Sequence, residues 1–256
     1  MRRVAAYVDS YGDRAAIVVG TERYTQKTTG NTDAPRLERH LVAEFALVKV
    51  DVASGWLGFR DVLEVDGRTL PDREERLIRS LSSGGGYAEA QRLSDESARF
   101  NIGTIERNFN VPTTTLFFLR SNTQDRFKFS AKTVEQDGSW RIAFKETSRP
   151  TLIRTPDNES VPAEGDIWVN PEDGTVLRTV LRTELKNLRH ARMQRGDGRV
   201  DVTYRYVALL GMWLPDEMSE HFETTGTTGR TNAWERVEGK AEYSNYRQFT
   251  TSGRIK

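Results

Sequence analysis

Much of the chain carries hydrophobic residues two positions apart with polar residues between them, the period of a strand with one buried face. Trp140, Ile142 and Phe144 alternate with Arg141, Ala143 and Lys145. A short run from Asp166 to Asn170 stops at Pro171, and Pro171-Glu-Asp-Gly174 is a turn, with Pro fixing one dihedral and Gly supplying a positive φ. Beyond it Leu177, Thr179 and Leu181 alternate with Val176, Arg178, Val180 and Arg182. These three strands form a meander around which the rest of the chain is organised. The same alternation appears in Asp125–Phe129, which Gln136-Asp-Gly-Ser139 turns into the meander. It recurs in Val200, Val202, Tyr204 and Tyr206 after Gly196-Asp-Gly198, and in Gly211–Pro215 with Met218–Phe222 as a bent strand or a pair. A polar loop from Thr224 to Asn232 precedes a closing strand over Gly239–Phe249.

The first half mixes periods. Val4, Tyr7, Val8, Tyr11, Ala15, Val18 and Val19 recur every three or four residues, which predicts an opening amphipathic helix over 1–20, weakened at Gly12. Thr21–Thr29 is polar and threonine-rich, a first edge strand or the approach to one. Leu41–Val52 is strongly β-biased with two rather apolar faces. In Trp56–Val65 the pattern puts Leu57, Phe59, Asp61, Leu63 and Val65 on one face and Arg60 and Glu64 on the other, before a tight Asp66-Gly67 turn. Pro71 opens a helix whose Leu77, Ile78 and Leu81 are spaced to bury; Gly84-Gly-Gly86 breaks it, and a second helix follows from Tyr87 to Arg107. The glycine trio reads as a plain helix–helix loop or as the hinge of a movable lid. About ten strands and three helices at this spacing predict a mainly β (α+β) fold: a single curved antiparallel sheet forming an incomplete β-barrel, covered by about three helices. No repeat or composition shift divides the chain, so 1–256 reads as one domain with a helical insert or lid at 71–107.

Composition narrows the function. Hydrophobic residues at 36% and charged residues at 29% describe a globular chain with a modest core. Thirty-eight basic against 37 acidic residues give a net charge of +1, which supplies no electrostatic footprint for nucleic acid. The absence of cysteine excludes disulfides, thiolate nucleophiles and Cys-based zinc sites. No window is apolar for long enough to span a membrane as a helix. Two N-terminal arginines resemble a signal n-region, but Asp9, Asp13 and Arg14 interrupt any apolar core behind them. The expected location is therefore the periplasm or another extracytoplasmic space for a mature or truncated chain, and the cytoplasm for a complete reading frame.

Candidate chemistry is sparse. His40, His190 and His221 stand outside any HExxH or GxSxG context, and Glu217, Glu220 and His221, adjacent on a strand, point to different faces. With no convergent nucleophile, base and orienter, the expectation is a non-enzyme with no cofactor and no metal. Glu96–Thr113 is rich in Glu, Arg and Asn; it reads as a polar gate or as a helix exit whose Arg99, Asn101, Arg107, Asn108 and Asn110 satisfy backbone and carboxylate groups. The more suggestive feature is aromatic. Trp140, Phe144, Trp168, Leu177, Leu181, Tyr204, Tyr206, Trp213, Met218 and Phe222 all fall in the second-half sheet, where they line an apolar cavity on the concave face or form ordinary core.

The order of parts, with the phrases WRIAFKETSRPTLI, GDIWVNPEDGTVLRT, GMWLPDEMSEHFET and AEYSNYRQF, resembles the LolA/LolB lipoprotein carriers and LolA-like domains of bacterial envelope proteins over roughly residues 40–250. The resemblance implies an open barrel with a helical lid and an apolar cavity for acyl chains. It brings no catalytic residue and no individual binding residue. The chain is longer than a minimal carrier. Two functions stay open: binding of a lipid or lipoprotein acyl chain in the concave face, with a lipid, an acylated protein or another envelope protein as partner; and a protein-interaction scaffold whose core is filled by its own side chains.

Overall fold

The computed structural model describes residues 1–15, 18–31, 36–49, 56–71, 92–93, 95–104, 107, 109–155, 158–186, 195–228 and 231–248. The predicted helix from Pro71, the glycine trio, His190 and most of the 71–107 insert lie outside them.

An opening helix, α1 (Arg2–Ala15), leads into three long strands, β1 (Val18–Gly30), β2 (Glu38–Lys49) and β3 (Trp56–Val65), and a short β4 (Arg68–Thr69). Residues 92–93 and 95–98 are helical, and a short α2 (Thr114–Phe118) follows. The second half contributes β5 (Phe127–Phe129), β6 (Thr133–Val134), β7 (Trp140–Glu146), β8 (Ile153–Arg154), β9 (Ser160–Val161), β10 (Ala163–Val169), β11 (Val176–Lys186), β12 (Arg195–Val207), β13 (Met212–Thr228) and β14 (Thr231–Gln248). Twelve strands make one antiparallel sheet in the order β4-β3-β2-β1-β14-β13-β12-β11-β10-β7-β5, with β6 on β7; β8 and β9 pair separately. The ends of that order, β4 and β5, do not pair, so the sheet is open, as the alternation predicts.

The C-terminal strand closes onto the N-terminal one. β1 is therefore a central strand between β2 and β14, not the edge strand that its threonines suggest. The helix at the N-terminus is shorter than predicted, because Val18 and Val19, both β-branched, belong to β1. The polar stretch after Thr224 is not a loop: β13 and β14 run on as a long hairpin, Gly226 opposite Ala233. Threonine suits a half-exposed pleated surface.

α1 buries Val4, Ala5, Val8, Tyr11, Gly12 and Ala15 and lies across one end of the sheet. Arg3 donates to the Pro171 carbonyl (2.9 Å) in the β10–β11 turn, and Arg14 to the Gly211 carbonyl (2.6 Å) in the β12–β13 turn. The Pro171–Gly174 turn forms as read: Gly174 has φ +80 and donates to the Asn170 carbonyl at 2.9 Å. A side chain at Gly174 would meet the Arg3 backbone at 2.5 Å, so glycine here serves both the turn and the seating of α1.

Candidate functional site

Register decides which side chains share the inner face. Across β12, β13, β14 and β1, Val202 stands beside Met218, Ala241 and Tyr24, and the next row runs Val200, Glu220, Gly239 and Gln26. A third row is Gly198, Phe222, Val237 and Thr28. On the other wing Phe144, Gly165 and Leu181 form one row. Of the ten residues expected to line a cavity, Phe144, Leu181, Tyr204, Met218 and Phe222 are buried together in this core. Trp140 and Trp213 pack half-buried against it. Tyr206 is 55% exposed at the end of β12, with its ring 6.2 Å from that of Trp213.

Two residues depart from that lining. Trp168 is in register with Arg141 and Arg178 on the outer face, its ring between their guanidinium groups at 5.5 and 4.7 Å. Its neighbours Ile167 and Val169 take the inward positions. Leu177 stands outside the core cluster because the register shifts there: Trp168 faces Arg178 while Val169 faces Val176, so Val176 is buried instead.

The face expected of β3 is reversed as well. Phe45 pairs with Arg60 and Ala43 with Val62, so Arg60 and Val62 point inward, while Asp61 opposes Glu44 on the other side. A register shift between Val42 and Ala43 brings Val65 back to the inner side opposite Leu41.

The inner face holds a polar cluster as well as apolar side chains. Glu22, fully buried on β1, receives both Nε and Nη2 of Arg60, the latter at 2.7 Å, and the Tyr243 hydroxyl at 2.6 Å. Burial works against the Arg60 charge, but the Glu22 carboxylate more than offsets it and holds the pKa above the ordinary arginine value. Arg60 also sits 4.6 Å from the Tyr24 ring centroid. Tyr24 donates to Glu220, which lies across Gly239; a Cβ there would meet Glu220 Cγ at 2.5 Å. Burial, reinforced by the neighbouring carboxylates, pushes the Tyr24 and Tyr243 hydroxyls well above their ordinary range, so both remain donors.

The described residues of 97–113 roof this cluster and are fastened to it through polar contacts. Ser97 donates to the Arg60 carbonyl, and Arg60 Nη2 to the Asn110 carbonyl at 3.3 Å. Gln26 donates to the Phe100 carbonyl and accepts from Ile102 N, each at 3.2 Å, and accepts from Arg107 Nη2 at 2.8 Å. Glu235 accepts from both Thr104 N and Oγ1 at 2.7 Å, and Tyr204 donates to the Pro112 carbonyl at 2.7 Å. Between these fastenings Ile102 and Phe109 are buried, Phe109 edge-on to Phe222 at 5.8 Å, and Leu93 is buried just ahead of them in the chain.

Sequence reasoning found Asn101, Arg107 and Asn110 as hydrogen-bonding groups at the helix exit but missed the sheet side: Glu22, Tyr24, Gln26, Glu235 and Tyr243. A signal exists in β1, where Glu22, Tyr24, Gln26 and Thr28 share one face, but Arg23, Thr25, Lys27 and Thr29 make the other face equally polar. The histidines described lie on the outside. His40 contacts Thr25 Oγ1 (3.2 Å) and Glu38 (3.4 Å); His221 approaches Glu238 (3.9 Å) and Glu223 (4.0 Å), while Glu220 points inward away from it. Among the described residues no three of His, Asp or Glu gather into a metal-binding group, and no helix is long and apolar enough to cross a membrane.

No protein-family model matches the chain, and no curated sequence matches it. Similar solved structures include a domain named for outer membrane lipoprotein sorting from Vibrio parahaemolyticus (11% identity, TM-score 0.39, covering 98% of this chain and 94% of that one). A LolA superfamily protein from Nitrosomonas europaea is similar at 8% identity and TM-score 0.35, with 98% and 96% covered. A DUF1329 family protein from Desulfovibrio piger is similar at 12% identity and TM-score 0.34, with 98% and 94% covered.

Proposed function

We propose that this chain is a non-enzymatic binding protein that takes an apolar ligand, a lipid or a lipoprotein acyl chain, between the inner face of the sheet and the cover formed by residues 97–113. The observation that carries this reading is how the cover is attached. Its described residues add no strand to the sheet, and their fastenings are side-chain hydrogen bonds and two buried cations. Lifting the cover leaves every strand pairing intact and uncovers Phe222 beneath Phe109 and Val237 beside Gly103. Apolar surface of that kind is what an acyl chain gains by covering, at roughly 25 cal/mol per Å². The whole chain acts as one carrier domain in the cell envelope, with a lipid or an acylated protein as partner.

The second reading, a protein-interaction scaffold, draws on a specific observation: Ile102 is 4% and Phe109 7% exposed within the core, so the cover's own side chains fill the concavity. Native mass spectrometry of protein from a bacterial host, before and after solvent extraction, separates the two. A lipid mass lost on extraction, followed by uptake of a pyrene-labelled fatty alcohol, is the result expected of a carrier. An apo mass with no uptake sinks that reading and leaves the scaffold.

A further inference from the structure

The buried Arg107 and Glu220 differ from Arg60 and Glu22 in one respect: they are not fully used. Arg107, 1% exposed, spends Nη2 on Gln26, while its Nε and Nη1 have no hydrogen-bond partner among the described residues. Glu220, 4% exposed, accepts from Tyr24 on Oε1, and its Oε2 has no hydrogen-bond partner among the described residues. The closest approach of the pair is 3.6 Å, an ion pair longer than a hydrogen bond. Buried polar groups are almost always satisfied, and leaving charged donors and acceptors unmade is costly. Arg107 reaches down from the cover and Glu220 lies across Gly239 on the floor, so the spare donors and the spare acceptor flank the seam where the cover meets the sheet. Phe222, with its ring centroid 5.1 Å from the Arg107 guanidinium carbon, supplies apolar surface beside them.

We propose that Arg107 and Glu220 form a head-group subsite for an uncharged amphiphile whose head both accepts and donates hydrogen bonds, through one oxygen as in an alcohol or through the oxygen and nitrogen of a primary amide. This rests on the apolar-ligand reading above and names the ligand's polar end. A head of this kind accepts from Arg107 and donates to Glu220 at once. A carboxylate or phosphate gains from Arg107 but meets the Glu220 carboxylate, with Glu235 bound to Thr104 close by; an ammonium head meets Arg107. An ester accepts but cannot donate.

The test is displacement of a pyrene-labelled fatty alcohol at pH 8 by oleyl alcohol, oleamide, methyl oleate and oleate. Oleyl alcohol and oleamide are expected to compete about 10-fold more tightly than methyl oleate and oleate, the size of one good hydrogen bond to a charged group. Glu220→Gln preserves shape and removes the charge, so the handicap of oleate shrinks while the alcohol still binds. Arg107→Lys loses the planar donor fork and weakens alcohol and amide without affecting methyl oleate to the same degree. Thermal midpoints of both variants establish that each is folded, and either folded variant suffices. Equal competition by all four compounds, or a preference for oleate, overturns the head-group assignment and leaves apolar binding standing. Failure of the probe itself to bind the wild-type protein overturns the apolar-ligand reading instead.

Discussion

Arg60→Met is the perturbation that tests the buried cluster most directly. Arg60 is 3% and Glu22 0% exposed, so the substitution strands a carboxylate whose remaining partner is the Tyr243 hydroxyl at 2.6 Å. Breaking a buried pair from one side typically costs about 3–5 kcal/mol. The Asn110 carbonyl, 3.3 Å from Arg60 Nη2, also loses its donor, and an orphaned buried acceptor adds about 1–3 kcal/mol. The double variant Glu22→Gln/Arg60→Met removes the uncompensated charge, so it should recover most of the first loss and keep only the second. Urea unfolding followed by far-UV circular dichroism and tryptophan fluorescence gives both values, and in a chain of this size about 3–5 kcal/mol lowers the Tm by roughly 6–20 °C. A single variant that loses less than about 1 kcal/mol, or a double variant less stable than the single, would refute the reasoning, since either means that Glu22 does not depend on Arg60 for its charge.

Other sites give sharper contrasts. Gly165→Ala places a Cβ 1.8 Å from the Val180 carbonyl and under the Phe144 ring, so β10 must move; Gly67→Ala meets nothing within 4 Å and has only its φ of +78 to accommodate. The first should unfold the protein at a much lower urea concentration, the second by about 1 kcal/mol at most. Leu181→Ala, at 1% exposure in the core, should cost about 2–5 kcal/mol, while Leu209→Ala, 85% exposed at the β12–β13 turn, should change stability by no more than about 0.5 kcal/mol. Asp166 and Asp201 titrate below the ordinary carboxylate range: burial raises both, but the hydrogen bonds and charges of Arg182 and Arg141 on Asp166, and of Arg178 and Arg199 on Asp201, outweigh it. Their stabilisation is therefore present above the unfolded-chain value near 3.8 and is lost as pH falls through the lower folded values. Acid titration of Asp166→Asn should show a shallower loss of stability below pH 4 than wild type; an identical slope would mean that the paired arginines contribute nothing.

Alternation made the second-half sheet legible, because β7, β10 and β12 each have one apolar and one charged face. Where it failed, the period was broken by a single inserted residue. The shifts at Val169 and at Val42/Ala43 swap Leu177 for Val176 and put Arg60 and Val62 on the same side as Val65. Nothing in the local sequence marks either position with a glycine or proline. Trp168 shows a different limit: its size suggests core, yet two arginines on neighbouring strands give the ring a half-buried place outside, and that pairing depends on a register no single strand encodes. The site was least legible because it is built from polar residues on a buried face. β1 looks like a solvated edge by composition, and only its position between β2 and β14 turns Glu22 and Gln26 into interior groups.

That placement bears on how a cover can be both closed and removable. An entirely apolar roof over the inner face would bind it through non-directional burial, which falls away only gradually as the surfaces separate. Here the fastenings are directional, and they come from one wing of the sheet, with Arg60 on β3, Gln26 on β1 and Glu235 on β14 all reaching the 97–113 segment, and β2 lying between the first two. Hydrogen bonds of this kind contribute about 0.5–1.5 kcal/mol each between neutral groups and about 1.5–3 kcal/mol where Arg60 or Glu235 takes part, and on opening, water takes their place. The glycines make the arrangement possible on the sheet side: Gly239 lets Glu220 lie flat across β14, and Gly198 leaves room for the Phe222 ring, which a Cβ would meet at 2.5 Å. Filling Gly239 with alanine should therefore displace Glu220 from Tyr24 and loosen the cover while leaving β14 paired. Faster hydrogen exchange at the amides of Ile102 and Thr104, with β13–β14 amides still protected, is the result that supports this account, and uniform loss of protection across the sheet is the one that removes it.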